Sequence, residues 1–358
     1  MNLRIKLLKI IDNIFGNLIL QIVPGILPNK KPVEIRSTLV IRPGGIGDAI
    51  HLLPILALLK KNNPENKIDI LCEQRNTGVF KASYYVNNTW DYMKPTDWLR
   101  LIRNRYDVVV DTEQSHYFSA VFSRLMNTHY RIGYAVNGRE KVYNDVVNYD
   151  HQAYEMDMFS LLFKLIFNIP KRIALDPPYF MKTIEGGGLD ILKSKERLVC
   201  LFPGASIKER LWPERRWANV AKYLVKNGYK PVLLGGKMEN SLCKRIIALY
   251  KNKYFINMTA KLSLLETVWL FEKSVLLVST DSGILHLGVL SDIPTISLFG
   301  SGIAEKWAPK GHQHIVINKG LECSPCTQFG STPECPNKNS CMMNITSGDI
   351  IEAAKKLL

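Results

Sequence analysis

The feature that most constrains this chain is an alternation of short β-branched runs with amphipathic stretches of helical length, and it appears as two successive series. Strand-like runs fall at 38–42, 67–72 and 107–111, with helical stretches such as 48–61 and 115–126 between them. They recur at 197–202, 230–234, 254–257, 275–279 and 294–299. Strands joined through helices pair in parallel, and a parallel sheet needs helices on both of its faces. The expected class is therefore α/β, with two domains, each around its own parallel sheet, and a cleft between them. The 358 residues suit that division, because single cores stop growing at roughly 250–300 residues.

The stretch 176–196 contains Pro177, Pro178 and the triplet Gly186, Gly187 and Gly188 but no hydrophobic period, and it reads as a linker. The expected organisation is an N-terminal amphipathic segment (1–36), a first Rossmann-like domain (37–180), a linker (181–196), a second Rossmann-like domain (197–345) and a closing helix (346–358). Ser347 is the expected cap of that helix, and Ile350, Ile351, Ala354 and Leu357 form its apolar face.

A formal net charge of +15 attracts phosphates, anionic lipid and nucleic acid alike. The sequence shows no helix-turn-helix, zinc-finger or aromatic RNA-binding pattern, so no nucleic-acid partner is expected and anionic substrates and membrane are favoured. The apolar run 14–27 is broken by Asn17, Gln21 and Pro24, too short to span a bilayer, and no secretory cleavage site follows it. The expected location is the cytoplasm, with contact at the inner face of the inner membrane. Leu7, Ile11, Ile14, Leu18 and Ile22 recur at helical spacing opposite Lys6, Lys9, Asn13 and Asn17. Such a helix either lies on an anionic membrane surface or docks on the protein's own body.

Four positions carry chemistry. The first strand runs into Pro43-Gly44-Gly45-Ile46-Gly47-Asp48, with His51 shortly after. A glycine loop opening a helix lets backbone approach a ligand, and Asp48 stands at the carboxyl edge of the sheet, either facing a ligand or capping the helix. In the second series a strand ends in Pro203-Gly204-Ala205-Ser206, followed by Lys208, Arg210, Trp212 and Pro213, a basic cluster suited to a diphosphate. The next strand ends in Gly235 and Gly236, with Glu239 placed either for ribose hydroxyls or for helix capping. Further on, Asp281-Ser282-Gly283 opens a helix that carries His286, and small polar residues at a helix N-terminus suit phosphate.

Seven cysteines, an odd number in a chain expected in a reducing compartment, argue against a disulfide framework. Cys72, Cys200 and Cys243 read as core residues. Cys323, Cys326, Cys335 and Cys341 form a Cys-x2-Cys knuckle with two further thiols, either a tetrahedral site for structural zinc or iron or four reduced thiols packing a loop.

Taken in order, the Gly45-Ile46-Gly47-Asp48 loop with Pro54, the Arg131-Ile132-Gly133-Tyr134 segment, Trp212-Pro213, Gly235-Gly236 and Asp281-Ser282-Gly283 with His286 before Phe299-Gly300 resemble glycosyltransferase family 9, the ADP-heptose:lipopolysaccharide heptosyltransferases. The resemblance runs over about 38–358. It implies a GT-B fold, two Rossmann-like domains with parallel sheets facing a central cleft, and an inverting transfer that needs no metal or other cofactor. It further implies ADP-heptose as donor and a lipid-linked oligosaccharide as acceptor. By the same resemblance Asp48 is the general base, in a loop with Gly44, Gly45, Gly47 and His51 on the acceptor side. Ser206, Lys208, Arg210, Gly235, Gly236, Glu239, Asp281, Ser282, Gly283 and His286 serve the donor. The chain departs from the family in carrying Ser282 where threonine is frequent and Arg210 where lysine is frequent. Any metal at the cysteines would then be structural.

Two rival readings remain at this level. One is a transferase of the same fold with another nucleotide sugar or a protein acceptor. The other is a catalytically silent membrane-surface or nucleic-acid-binding protein, against which the joint presence of Asp48, Arg210 and the 281–286 segment speaks.

Overall fold

A computed structural model describes residues 10–26, 29–181, 190–193, 195–250, 255–328 and 331–358. Lys6, Leu7 and Lys9, the glycine triplet at 186–188 and Tyr254 lie outside the described residues. The chain divides into two compact units, 1–179 and 180–358.

In the first unit, strands β1 (Ser37–Arg42), β2 (Lys67–Cys72), β3 (Asn88–Asp91), β4 (Arg105–Asp111), β5 (Asn127–Tyr134) and β6 (Asp145–Val147) form a six-stranded sheet in the order β3-β2-β1-β4-β5-β6. Every pairing is parallel. In the second, β7 (Arg197–Phe202), β8 (Tyr229–Leu233), β9 (Ile256–Asn257), β10 (Ser274–Thr280), β11 (Thr295–Phe299) and β12 (His314–Asn318) form a second parallel sheet in the order β12-β11-β10-β7-β8-β9. Renumbered from β7, this is the same arrangement. It is the doubly wound order, in which ligands bind where the connections from two adjacent central strands diverge. The two units are thus Rossmann-like α/β folds.

Central strands such as β1 and β7 are buried from their second residue onward, as apolar strands covered on both faces must be. The strands without a clear signal in the sequence are β3, β5, β6 and β12. Three of them lie at or near a sheet edge and stay partly exposed, and β5 opens with the polar Asn127-Thr128-His129. None of them shows the continuous apolar run that marks a central strand.

Helices α1 (Ile46–Asn62), α2 (Tyr117–Leu125) and α3 (Glu155–Lys164) belong to the first unit. Helices α4 (Glu214–Lys226), α5 (Gly283–Leu290) and α6 (Ser347–Leu357) belong to the second unit. Ser347 is not the cap of α6. Thr346 is, its Oγ1 accepting from the Asp349 amide at 3.2 Å while Asp349 Oδ2 accepts from the Thr346 amide at 2.7 Å. This reciprocal box satisfies two end amides at once, which a cap one residue later would not. The apolar face of α6 joins Trp217, Leu224 and Ile296 in the second unit's core.

Residues 10–22 are helical, with Asp12–Gly16 in π geometry and Asn17–Ile22 as α-helix. This helix docks on the protein's own body. The Asp12 carboxylate accepts from the first amides of α2, Tyr117 N at 3.0 Å and Phe118 N at 2.8 Å, and Leu20 packs among Ala120, Val121, Val142 and Tyr143.

Candidate active site

The central strands of the first unit, β1 and β4, end side by side in charge. Arg42, the last residue of β1, is buried, and its Nη1 donates to the Thr112 carbonyl at 2.7 Å and to Gln114 Oε1 at 3.0 Å. Its Nη2 lies 3.1 Å from Asp48 Oδ2 and 3.7 Å from Glu113 Oε2. Burial works to discharge this guanidinium, but Asp48, Glu113 and Glu155 outweigh it and raise its pKa. Burial likewise favours a neutral Glu113, yet His116, Arg42, Arg139 and the Ser115 amide together hold its pKa at about 2.

The loop that follows β1 aims Asp48. Gly44 has φ +119°, which a side chain would strain. Gly45 is the N-cap residue of α1, in extended conformation, so Asp48 sits at the third helical position and is not a capping aspartate. Its carboxylate turns back onto Arg42, with 17% of its side chain exposed against 4% for Glu113. Of the two acids that pair with Arg42, Asp48 is the one open to solvent. His51 is buried, edge-on to the Tyr154 ring at 5.7 Å. Glu155 Oε2 accepts from Tyr149 Oη at 2.5 Å.

The Arg131-to-Tyr134 segment serves architecture. Arg131 donates to the carbonyls of Ser123 at 2.8 Å and Met126 at 2.6 Å, closing the end of α2, and a Cβ on Gly133 would overlap the Tyr143 ring.

The matching strands of the second unit are β7 and β10. Thr280 Oγ1 donates to the Gly204 carbonyl and ties the two strand ends together. Arg210 Nη1 lies 2.9 Å from Asp281 Oδ2 and 3.4 Å from the Asp281 carbonyl. Burial raises the Asp281 pKa, and Arg210 opposes it. A Cβ on Gly302, in the loop after β11, would overlap Asp281 Oδ2, so the pair exists because that position is glycine.

Ser282 is the N-cap residue of α5 but makes no side-chain cap bond; its hydroxyl lies 3.2 Å from Ser279 Oγ. The first-turn amides of a helix have no intrahelical acceptor, so this end presents donors beside a guanidinium. His286 is buried within α5, and burial with the nearby Arg210 lowers its pKa to about 4, leaving a neutral imidazole at neutral pH.

Glu239 Oε2 accepts from the Gly236 amide at 2.7 Å, the capping role, while a Cβ on Gly204 would overlap its Cγ. Lys208 is exposed and paired with Glu334 at 2.7 Å, and Ser206 is exposed. The structure therefore groups Arg210, Asp281, Ser282, Gly283 and His286, and leaves Lys208 and Ser206 at the surface. Sequence reading passed over Arg42, Glu113 and Gly302. The signal for Arg42 is an ionisable residue closing a strand run at the sheet's carboxyl edge, whereas Glu113 lies two residues beyond the end of β4.

Cys326, Cys335 and Cys341 interact electrostatically with one another and with the exposed Cys323. Burial, then the neighbouring thiols, raises the pKa of Cys326, and burial does the same for Cys341. Among the described residues, however, no three His, Cys, Asp or Glu side chains are placed to hold one metal ion. The donor set suits zinc or iron in its chemistry but does not close around an ion.

Comparison with known proteins adds independent findings. The family model described as glycosyltransferase family 9 (heptosyltransferase) matches residues 98–336. Lipopolysaccharide heptosyltransferase 1 of Campylobacter coli is 23% identical over 89% of this chain and 98% of its own length. Among solved structures, the ADP-heptose lipopolysaccharide heptosyltransferase II of E. coli superposes with a TM-score of 0.72 at 19% identity, covering 90% of this chain and 98% of that one. The iron-containing dodecameric glycosyltransferase TibC of enterotoxigenic E. coli H10407 superposes at 0.59 with 14% identity, covering 92% of this chain and 77% of that one. At such identities the two structures speak for the fold.

Proposed function

The chain belongs to glycosyltransferase family 9, the heptosyltransferase family, and from that premise we propose that it transfers a heptose from ADP-heptose to the core of a lipopolysaccharide or lipooligosaccharide, with inversion at the anomeric carbon. The observation that carries this reading is the Arg210–Asp281 pair, fixed at 2.9 Å beside the α5 N-terminus at the point where β7 and β10 diverge.

In this reading Asp48 is the general base. Arg42 holds Oδ2, so Oδ1 is offered to the acceptor hydroxyl and takes its proton as that oxygen bonds to the anomeric carbon. The bond from that carbon to the β-phosphate oxygen breaks, and its electron pair leaves with ADP. Arg210 and the first amides of α5 neutralise the charge that grows on the diphosphate, a task that needs no metal ion. Asp281 orients Arg210, His286 is a neutral hydrogen-bonding partner, and the Glu239 oxygen not used in capping serves the ribose. Holding both substrates in register contributes on the order of 7–11 kcal/mol in favourable cases.

Among the described residues no helix is long and apolar enough to cross a membrane, and the reading places the enzyme on the cytoplasmic face of the inner membrane, where a lipid-linked acceptor is within reach. A structural zinc or iron at Cys323, Cys326, Cys335 and Cys341 is a companion proposal through which no step of transfer runs.

The test is a thermal-shift screen of ADP, ADP-heptose and UDP-sugars, followed by mass spectrometry of the acceptor. ADP and ADP-heptose should raise Tm and heptose should appear on the core. Stabilisation by UDP-sugars alone would assign a different donor, and no stabilisation by any nucleotide would overturn the transferase reading.

A further inference from the structure

The helix at 10–22 uses only one of its faces to bind the first unit. Asp12, Gly16 and Leu20 recur every four residues and are all buried, Leu20 to 2% exposure. Gly16 is pressed so tightly against Tyr117 that a Cβ there would lie 2.9 Å from the tyrosine Cβ. Docking is therefore specific, and it fixes which residues point the other way. Those are Ile14, Phe15, Leu18 and Ile22, each more than half exposed, with Ile22 at 76%. Leu125, at the end of the neighbouring α2, is exposed to 51%. Six of the exposed large apolar side chains of the described residues lie within these thirteen positions, a density that marks an interaction surface rather than the scattered exposure any protein shows.

The surroundings of the stripe say what covers it. Lys141 Nζ donates to the Gln21 carbonyl at 3.0 Å and Arg124 Nε to the Pro24 carbonyl at 3.3 Å, so two cations are pinned at its C-terminal end. The sequence places Arg4, Lys6 and Lys9 ahead of it, in a chain of net charge +15. An apolar stripe edged by basic residues matches the boundary between acyl chains and acidic headgroups. A second copy of this chain would bring the same cations against each other.

We propose that the stripe Ile14, Phe15, Leu18 and Ile22, with Arg124 and Lys141 at its end, seats the first unit on the surface of a bilayer containing anionic phospholipid. The helix is thus a two-sided adaptor, bound to protein by Asp12, Gly16 and Leu20 and to lipid by its opposite face. The inference deepens the functional reading above and rests on it for the identity of the membrane, since the proposed acceptor is lipid-linked.

Vesicle flotation of the full chain tests it, with phosphatidylcholine vesicles containing phosphatidylglycerol set against pure phosphatidylcholine. The wild type should float with the anionic vesicles. Ile14→Glu combined with Leu18→Glu should lose about a hundredfold in partitioning, since each apolar side chain removed from the interface is worth roughly a tenfold change or more. Arg124→Glu with Lys141→Glu should lose binding mainly at low salt. Because Ile14 and Leu18 are exposed, the melting temperature and its rise with ADP should match wild type. Equal flotation of wild type and Ile14→Glu/Leu18→Glu would overturn the proposal, as would a wild-type dimer in sedimentation that the same variant converts to monomer. Loss of the ADP-induced shift in the wild type would instead strike the transferase reading and leave the vesicle result to stand by itself.

Discussion

The two sheets share one strand order, yet the points where their central strands diverge are furnished in opposite ways. At the end of β1 and β4 the first unit packs Arg42, Asp48, Glu113, Asp111 and Arg139 into a dense ionic lattice, with the Arg139–Asp111 pair fully buried at 2.7 Å. At the end of β7 and β10 the second unit sets the Arg210–Asp281 ion pair among glycines and hydroxyls. A lattice of buried charge allows its members little movement, because each would leave a partner unpaired in low dielectric. Glycines and a helix end instead leave room and donors. The first arrangement suits a group that must hold one position while a proton moves, and the second suits a ligand that brings its own charge.

That contrast can be broken experimentally, and the largest effect belongs to Asp48, the proposed base. Asp48→Asn should fold, keep its ADP-induced thermal shift and lose about a thousandfold in kcat; turnover near wild type would remove Asp48 from the chemistry. Arg210→Gln should cost about a hundredfold in kcat/KM. It should also lower stability by about 3 kcal/mol, because Asp281 is left buried without its partner. Arg210→Lys should recover part of both, and a Gln variant with normal KM and Tm would contradict the clamp.

A smaller effect is a pH dependence seated in the second unit. Burial holds His286 and His314, both in the second unit, at about 4, below roughly 6.5 for histidine in an unfolded chain. Between those values the unfolded state binds more protons, so stability rises with pH and drains away as pH falls from about 6.5 toward 4. His286→Gln should flatten the slope of Tm against pH in that window, and an unchanged slope would show that the imidazole is not held neutral. The smallest expected effect on turnover is at the cysteines. Metal analysis should find about one zinc or iron per chain, and Cys326→Ser should lower metal content and Tm while kcat stays within about twofold. A metal-free protein of full stability would end the companion proposal.

Much of this was legible in the chain because central parallel strands are apolar throughout and end at glycine-rich turns. The run 197–202, which ends at Pro203-Gly204, is placed to the residue for that reason, and 67–72 is placed by its isoleucines and leucine alone. Asp48, Arg210 and the 281–286 segment stood out because polar residues follow apolar strands there. What stayed hidden depends on contacts distant in sequence. Nothing local to Arg42 announces Glu113 or Gln114, each some seventy residues away, and nothing near Gly302 announces Asp281. Lys208 looked like part of a clamp because it precedes Arg210 by two positions, and only the fold reveals Glu334 as its partner. The N-terminal helix was read as choosing between membrane and protein, when the stripe read as its contact face, Ile14, Leu18 and Ile22, lies opposite the face that docks.

Gly204 and Gly302 carry a last consequence. Each is occupied, at the place where a methyl group would stand, by an acidic side chain from elsewhere in the same unit, Glu239 and Asp281 respectively. Alanine at either position would therefore leave every polar group of the proposed donor side in the polypeptide and still displace the acidic side chain packed there. A survey of tolerated substitutions would thus outline the proposed donor side by its silences, at residues that have no functional group at all.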